Sequence, residues 1–219
     1  MVTSLLHISA SPRREASESL AIADSFLDSY RQAHPGAVID HLDLWDGSLP
    51  QFGRDAVGAK MAIFAGQEPS GAQASAWADA RRTFERFAAA DGYLFSVPMW
   101  NAGIPYVLKQ FIDVVSQPGM VFGFDSERGY TGLLTGRKAY VIYTSAVYGP
   151  GRPATFGSDF QAPYLDDWLR WAGVDEISTI AFRPNLAVPD AEPGRRAAHA
   201  AARALGIQAA NAGLDSNAG

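Results

Sequence analysis

Apolar residues gather in short β-rich runs at Ser4–Ile8, Val38–Leu42, Tyr93–Val97, Lys138–Thr144 and Ile177–Phe182, the length and make-up of buried strands. Between them the pattern turns to helical spacing, often Ala-rich, over Leu20–Gln32, Ser70–Ala90, Pro105–Ser116, Phe160–Ala172 and Asp190–Ala212. Pro105 and Pro189 stand near helix entries, where a missing N–H is harmless. This alternation predicts an α/β fold in which right-handed crossovers cover both faces of a five-stranded parallel sheet. Ligands of such sheets lie at the carboxyl ends of the strands, near the switch in strand order. The loops after strands one, three and four are therefore the places to look. Segment Leu44–Pro69 breaks the rhythm with Pro50, Phe52, Gly53 and Gly58; it reads as an excursion or two short helical pieces, without chemistry of its own. Beyond Asn211 the residues are small and polar and are expected to fray.

Composition narrows the function. With 219 residues, 47% of them hydrophobic and 19% charged, the chain can bury one substantial core, and one domain is expected. A net charge of −5 with no Lys/Arg run opposes non-specific binding to nucleic acid or an anionic membrane. A small-molecule ligand or a protein partner is expected instead. The chain has no cysteine, which excludes disulfides, thiolate metal sites, a Cys nucleophile and Fe–S clusters. Any redox chemistry must come from a bound cofactor, and a reducing cytoplasm suits the chain. No basic leader precedes Ser9 and no apolar run approaches membrane-spanning length, so a soluble, unprocessed protein is expected.

Three loops carry candidate chemistry. Ser9 to Ser19, between the first strand and the first helix, contains Ser9, Ser11, Ser17, Glu18 and Ser19. Hydroxyls and the free N–H groups of a first helical turn would converge there on a singly attached phosphate such as that of FMN; an ordinary N-cap accounts for the same residues. After strand three, Pro98, Met99, Trp100, Asn101 and Ala102 lead through Gly103 to Pro105. Met99 and Trp100 can lie under a flat heterocycle while Asn101 and Gly103 allow close backbone approach; core packing at a strand end is the plainer account. After strand four, Ser145 to Pro153 holds small residues, Tyr148 and several turn formers, which turn chemistry alone explains.

Other chemistries lack their residues. There is no Gly-x-Ser-x-Gly elbow and no His-Glu-x-x-His pair, and Gly132–Lys138 lacks the Walker spacing and reads as a turn into strand four. His7 and His41 can meet on adjacent strands as a packed pair, without a third metal ligand. Arg81, Arg82 and Arg86 beside Glu85, and Arg195 and Arg196 beside Glu192, read as solvated helix faces. Trp168 and Trp171 share a buried helical stripe.

The Ser loop, the Pro-Met-Trp-Asn loop and the Leu108–Asp113 helix together resemble the FMN-dependent NADH:quinone reductases, also called azoreductases. Gly119–Phe124, Gly132–Ala139 and Pro163-Tyr164-Leu165 continue the resemblance in order, from about Leu5 to Phe182. The resemblance implies a flavodoxin-like three-layer sandwich, sheet order 2-1-3-4-5, in a homodimer with one FMN per subunit. It assigns the phosphate to Ser9, Ser17, Glu18 and Ser19, and the ring to Met99, Trp100, Asn101 and Ala102. The family's Met-Tyr-Asn-Phe becomes Met-Trp-Asn-Ala here, which keeps an aromatic ring and opens space beside the flavin. Its Ser-Arg-Gly-Gly loop becomes Ser145-Ala146-Val147-Tyr148, keeping only the Ser. The implied reaction takes hydride from NADH or NADPH and passes it to a quinone or azo acceptor, with no side-chain acid or base. Trp100, Phe122, Phe124 and Tyr148 are the candidate stacking wall, with a contribution across a dimer interface allowed. A flavodoxin-like electron carrier, or a flavin-binding module without NAD(P)H turnover, is the rival reading.

Overall fold

Seven strands and six α-helices, besides single 3-10 turns at Arg14–Ala16 and Ala154–Phe156, occupy residues 4–211, the part of the chain that the structure, a computed structural model, describes. In chain order they are β1 (Ser4–Ser9), α1 (Glu18–Ala33), β2 (Val38–Asp43), α2 (Arg54–Phe64), α3 (Gly71–Ala88), β3 (Gly92–Pro98), α4 (Tyr106–Val115), β4 (Phe122–Asp125), β5 (Gly129–Gly132), β6 (Lys138–Thr144), α5 (Ala162–Trp171), β7 (Glu176–Phe182) and α6 (Glu192–Asn211). The tail expected to fray, and the last residue predicted for the final helix, lie outside the described residues.

Five strands form a parallel sheet in the order β2-β1-β3-β6-β7. Counting only these five recovers the expected 2-1-3-4-5; the extra numbers come from an antiparallel hairpin, β4–β5, inserted after α4. The sequence pattern predicts no element there, because four-residue strands, one with Gly inside it and the other with Gly at both ends, are too short to show alternation. The excursion Leu44–Pro69 contains one helix, α2, not two.

The period of two along each strand splits the interior between two faces. Leu6, Ile8, Phe95, Val141 and Tyr143 pack on Phe87, Leu108, Phe111 and Trp168 of α3, α4 and α5, whereas Leu5, Leu94, Ile142 and Phe182 pack on Ile22, Phe26 and Ala202 of α1 and α6. Each such side chain contributes about 1.5–3 kcal/mol on burial. α1 and α6 approach so closely that a Cβ at Gly206 would strike the Phe26 carbonyl; an alanine there would push the helices apart.

Polar side chains pin the sheet from within. His7 and His41 meet as the strand pattern predicts, Nδ1 to Nδ1 at 3.2 Å, and His7 Nε2 bonds to Ser96 Oγ at 2.7 Å. Burial, then the neighbouring His41, pushes the His7 pKa down to about 3, so the ring is neutral. Among the described residues no three His, Cys, Asp or Glu side chains group as a metal site, and no helix is long and apolar enough to cross a membrane. Arg86 is more than a solvated residue: its guanidinium grips Asp40 on β2 at 2.7 and 2.8 Å and donates to the His41 carbonyl. Both partners are well exposed, so the pair adds only about 0–1 kcal/mol.

Candidate functional site

The carboxyl ends of β1, β3, β6 and β7 release their loops into one cleft. The loop after β1 starts against β3, where the Ala10 N–H donates to the Ser96 carbonyl at 3.1 Å. Ser17 then caps α1, its Oγ accepting from the Leu20 N–H at 3.4 Å and lying 3.1 Å from Ser19 Oγ. Both serines are buried at the opening of the helix, where the first-turn N–H groups have no intrahelical acceptor and the dipole favours an anion. Arg13 lines the same hollow. The Glu18 carboxylate is instead taken by Arg195 of α6, at 2.7 and 3.2 Å, and these carboxylate bonds raise the Arg195 pKa further. As the first residue of α1, Glu18 keeps a backbone N–H with no intrahelical acceptor. Arg195, expected to be a solvated face, is a tie between α6 and α1.

The loop after β3 makes a tight turn. The Met99 N–H donates to the Thr144 carbonyl at 2.7 Å, and Trp100 and Gly103 exchange two backbone bonds of 2.9 Å. Between them Asn101 and Ala102 hold φ values of 49° and 69°, a left-handed conformation that costs a residue with a Cβ about 1–2 kcal/mol. Such strain persists where the surroundings over-determine it; here the Phe160 N–H donates to the Ala102 carbonyl at 2.9 Å. The N–H groups of Asn101 and Ala102 themselves have no backbone acceptor among the described residues. Trp100 packs against Trp45 and Tyr106, with ring centroids 5.5 and 6.0 Å away, and the Trp45 indole N–H donates to the Ala10 carbonyl at 3.1 Å.

The loops after β6 and β7 close the other side. Ser145 Oγ donates to the Tyr148 carbonyl, and the Asn185 N–H donates to the Ser145 carbonyl at 2.8 Å. Gly149 lets the first loop lie on the second, since a Cβ there would stand 2.6 Å from Pro184 Cδ.

The result is two adjoining hollows that share Met99, Ser145 and Ala146. One, of about 130 Å³, is bounded by Ser11, Ser17, Glu18, Pro98 and Trp100; the other, of about 210 Å³, by Asn101, Ala102 and Tyr148. Ser9 and Ser19 lie behind this lining, buried. A larger hollow of about 510 Å³ between β7 and α6 is lined chiefly by small and apolar side chains such as Ala181, Val188 and Ala198, so volume alone does not mark the site.

The structure does not bring Phe122 and Phe124 into this cleft. Phe122 is buried against Trp171 and Tyr130, at centroid distances of 4.7 and 5.3 Å, and Phe124 stands exposed beside Tyr130 on the hairpin. Five lining residues lie outside the loops to which the sequence pointed: Phe156, Gly157, Ser158, Asn185 and Leu186; Arg13 lies within the first loop but had no role assigned to it. The rule that points to strand ends applies to the fifth sheet strand as well, and would have found Asn185 and Leu186.

Comparison with known proteins bears on this geometry. A family model described as a flavodoxin-like fold matches residues 3–205. An FMN-dependent NADH:quinone oxidoreductase of Ruegeria pomeroyi is 44% identical over 193 residues, 88% of this chain and 95% of the relative. Another of that name from Pseudomonas fluorescens is 40% identical over 212 residues, 95% of this chain and 98% of the relative. The crystal structure of an azoreductase from Bacillus anthracis superposes with a TM-score of 0.86 at 27% identity, covering 94% of this chain and 99% of that one. The chain belongs to the flavodoxin-like family of FMN-dependent NADH:quinone oxidoreductases.

Proposed function

We propose that the cleft binds FMN and that the protein is an NAD(P)H-dependent oxidoreductase reducing quinones and aromatic azo compounds. One observation carries this reading: the serine-lined opening of α1 and the strained Asn101–Ala102 turn face the same cleft, so an anion cradle and unpaired ring-edge donors stand together. A phosphomonoester attached to a flat heterocycle fits that donor set. Ser9, Ser11, Ser17, Ser19 and the Glu18 N–H would hold the phosphate, and Pro98 to Ala102, with Ser145 and Tyr148, the ring.

The chemistry that bound FMN supplies is two-electron hydride exchange, from NADH or NADPH and then to the acceptor. The residues of this chain orient and exclude. Backbone N–H groups at Asn101 and Ala102 are fixed donors that need no reorganisation when negative charge develops beside them. Trp100 and Tyr148 wall the acceptor side and keep water from it. Exposed Phe124 and Tyr130 pack together on the hairpin with ring centroids 5.1 Å apart, and a homodimer whose hairpin aromatics meet the second subunit is the assembly this reading expects. One domain, in the cytoplasm, is the setting this reading expects. The relatives are named as oxidoreductases, which favours an enzyme over an electron carrier.

The test is spectroscopic. Purified protein should be yellow, bleach when NADH is added without oxygen, and recover its colour with a quinone. A colourless protein that takes up no added FMN would refute the reading.

A further inference from the structure

Just past β7, Arg183 carries a guanidinium whose side chain is only 4% exposed. A buried cation must be paired, and burying such a pair is a poor route to stability because desolvation offsets the attraction. Its partners therefore point to another use. Nη1 donates to Asp159 Oδ2 at 2.6 Å and Nη2 to Gln161 Oε1 at 2.8 Å, while the plane lies 4.7 Å from the Tyr143 ring centroid. Asp159 Oδ1 accepts the Gln161 and Ala162 N–H groups at 3.0 Å each, which fixes the entry to α5.

The same short segment grips the cleft from its other side. Gln161, fully buried, donates through Nε2 to the Val97 carbonyl at 2.8 Å, and the Phe160 N–H bonds to the Ala102 carbonyl at 2.9 Å. Residues 159–161 thus form a bridge with Arg183 at one end and the end of β3 at the other. Ala102 is the residue that sits at φ 69°, so the bridge bears on the most strained point of the ring-framing turn.

We propose that Arg183 is a positioning residue: through Asp159 and Gln161 it holds the Trp100–Gly103 turn in the geometry that frames the flavin. Its consequence for turnover rests on the flavin reading above, whereas its effect on the turn does not. Arg183 lines neither hollow of the cleft; its one further contact toward it is the Tyr148 ring, whose centroid lies 5.8 Å from Cζ, and its hold on the Trp100–Gly103 turn runs through the bridge.

The test compares wild type, Arg183→Met, and the double variant Arg183→Met with Asp159→Asn, all as the whole chain supplied with FMN. The asparagine keeps an oxygen for the Gln161 and Ala162 N–H groups and leaves no bare buried carboxylate. The single variant should lose thermal stability and the double variant should regain most of it. In both, hydrogen exchange over residues 97–104 should speed up by roughly tenfold, and the acceptor KM should rise by roughly tenfold with a smaller change in kcat, as expected of displaced positioning groups. A double variant that recovers wild-type exchange and KM along with its stability would overturn the proposal, as would unchanged exchange in Arg183→Met. If wild type itself fails to bleach with NADH, the flavin reading falls and the exchange data alone decide the role of Arg183.

Discussion

The two ends of the cleft are built in opposite ways. The end proposed to hold the phosphate is a contiguous stretch, Ser9 to Ser19, whose hydroxyls and N–H groups are brought together by a helix starting where local capping dictates. The end proposed to frame the ring is assembled from loops after three different strands and from the segment before α5, held by bonds between residues far apart in sequence. A contiguous cradle depends on local conformational preference, whereas an assembled frame depends on long-range contacts staying in register. Trp45 touches both, through its bond to Ala10 and its packing on Trp100.

The largest effect should separate the ends outright. Replacing Ser17 and Ser19 together with alanine removes two hydroxyl partners of a charged group, each worth about 1.5–3 kcal/mol. FMN should then bind at least about a hundredfold more weakly, while riboflavin, which lacks the phosphate, should bind as it does to wild type. Flavin fluorescence titrations measure both, and equal losses would remove the phosphate from this end.

Acid should weaken both ends together, since the His7–Ser96 bond lies in the two strands beneath them. Below pH 6.5 the unfolded chain protonates His7, but the folded protein refuses that proton until pH approaches 3. The stability conferred by neutral His7 is therefore complete above pH 6.5 and falls as pH drops through that window, by up to ~1.4 kcal/mol per pH unit. Urea unfolding at pH 7.5 and 5.0 should show wild type losing roughly 2 kcal/mol more than His7→Asn. Parallel losses in the two proteins would contradict the assignment.

Trp45→Phe keeps an aromatic ring, though a smaller one, and deletes the bond to Ala10. Affinity for FMN and for riboflavin should fall alike, by about fivefold for a hydrogen bond worth about 1 kcal/mol. A loss confined to FMN would show that Trp45 serves the cradle alone. The smallest change is expected from Ala102→Gly, which relieves the left-handed strain and should stabilise the fold by about 0.5–1 kcal/mol. Calorimetry should find the unfolding temperature raised by roughly 1–4 °C; a lowered value would mean that the turn does not adopt this conformation.

The same contrast governs what could be read from the chain. The five sheet strands and five of the helices were legible because each keeps its period long enough to register, as in Lys138–Thr144 and Pro105–Ser116. The hairpin was not, since Phe122–Asp125 and Gly129–Gly132 owe their pairing to each other and to Trp171 rather than to local pattern. At the site, residue type and position pointed to Ser17 and to Met99–Ala102, which the structure brings to one cleft. Three features escaped: the Glu18–Arg195 tie, the Arg183–Asp159 bridge and the role of Trp45, each a contact between segments whose separation hides the pairing. Phe122 and Phe124 were legible as aromatic but not as hairpin residues, because a stacking wall and a packed hairpin use the same side chains.

The central claim places one ligand across both ends. A crystal structure of the purified protein with FMN tests it directly: the account predicts phosphate oxygens within hydrogen-bonding distance of Ser17, Ser19 and the first N–H groups of α1, with the ring against Met99 to Ala102. Phosphate bound elsewhere, or a ring seated away from that turn, would contradict it.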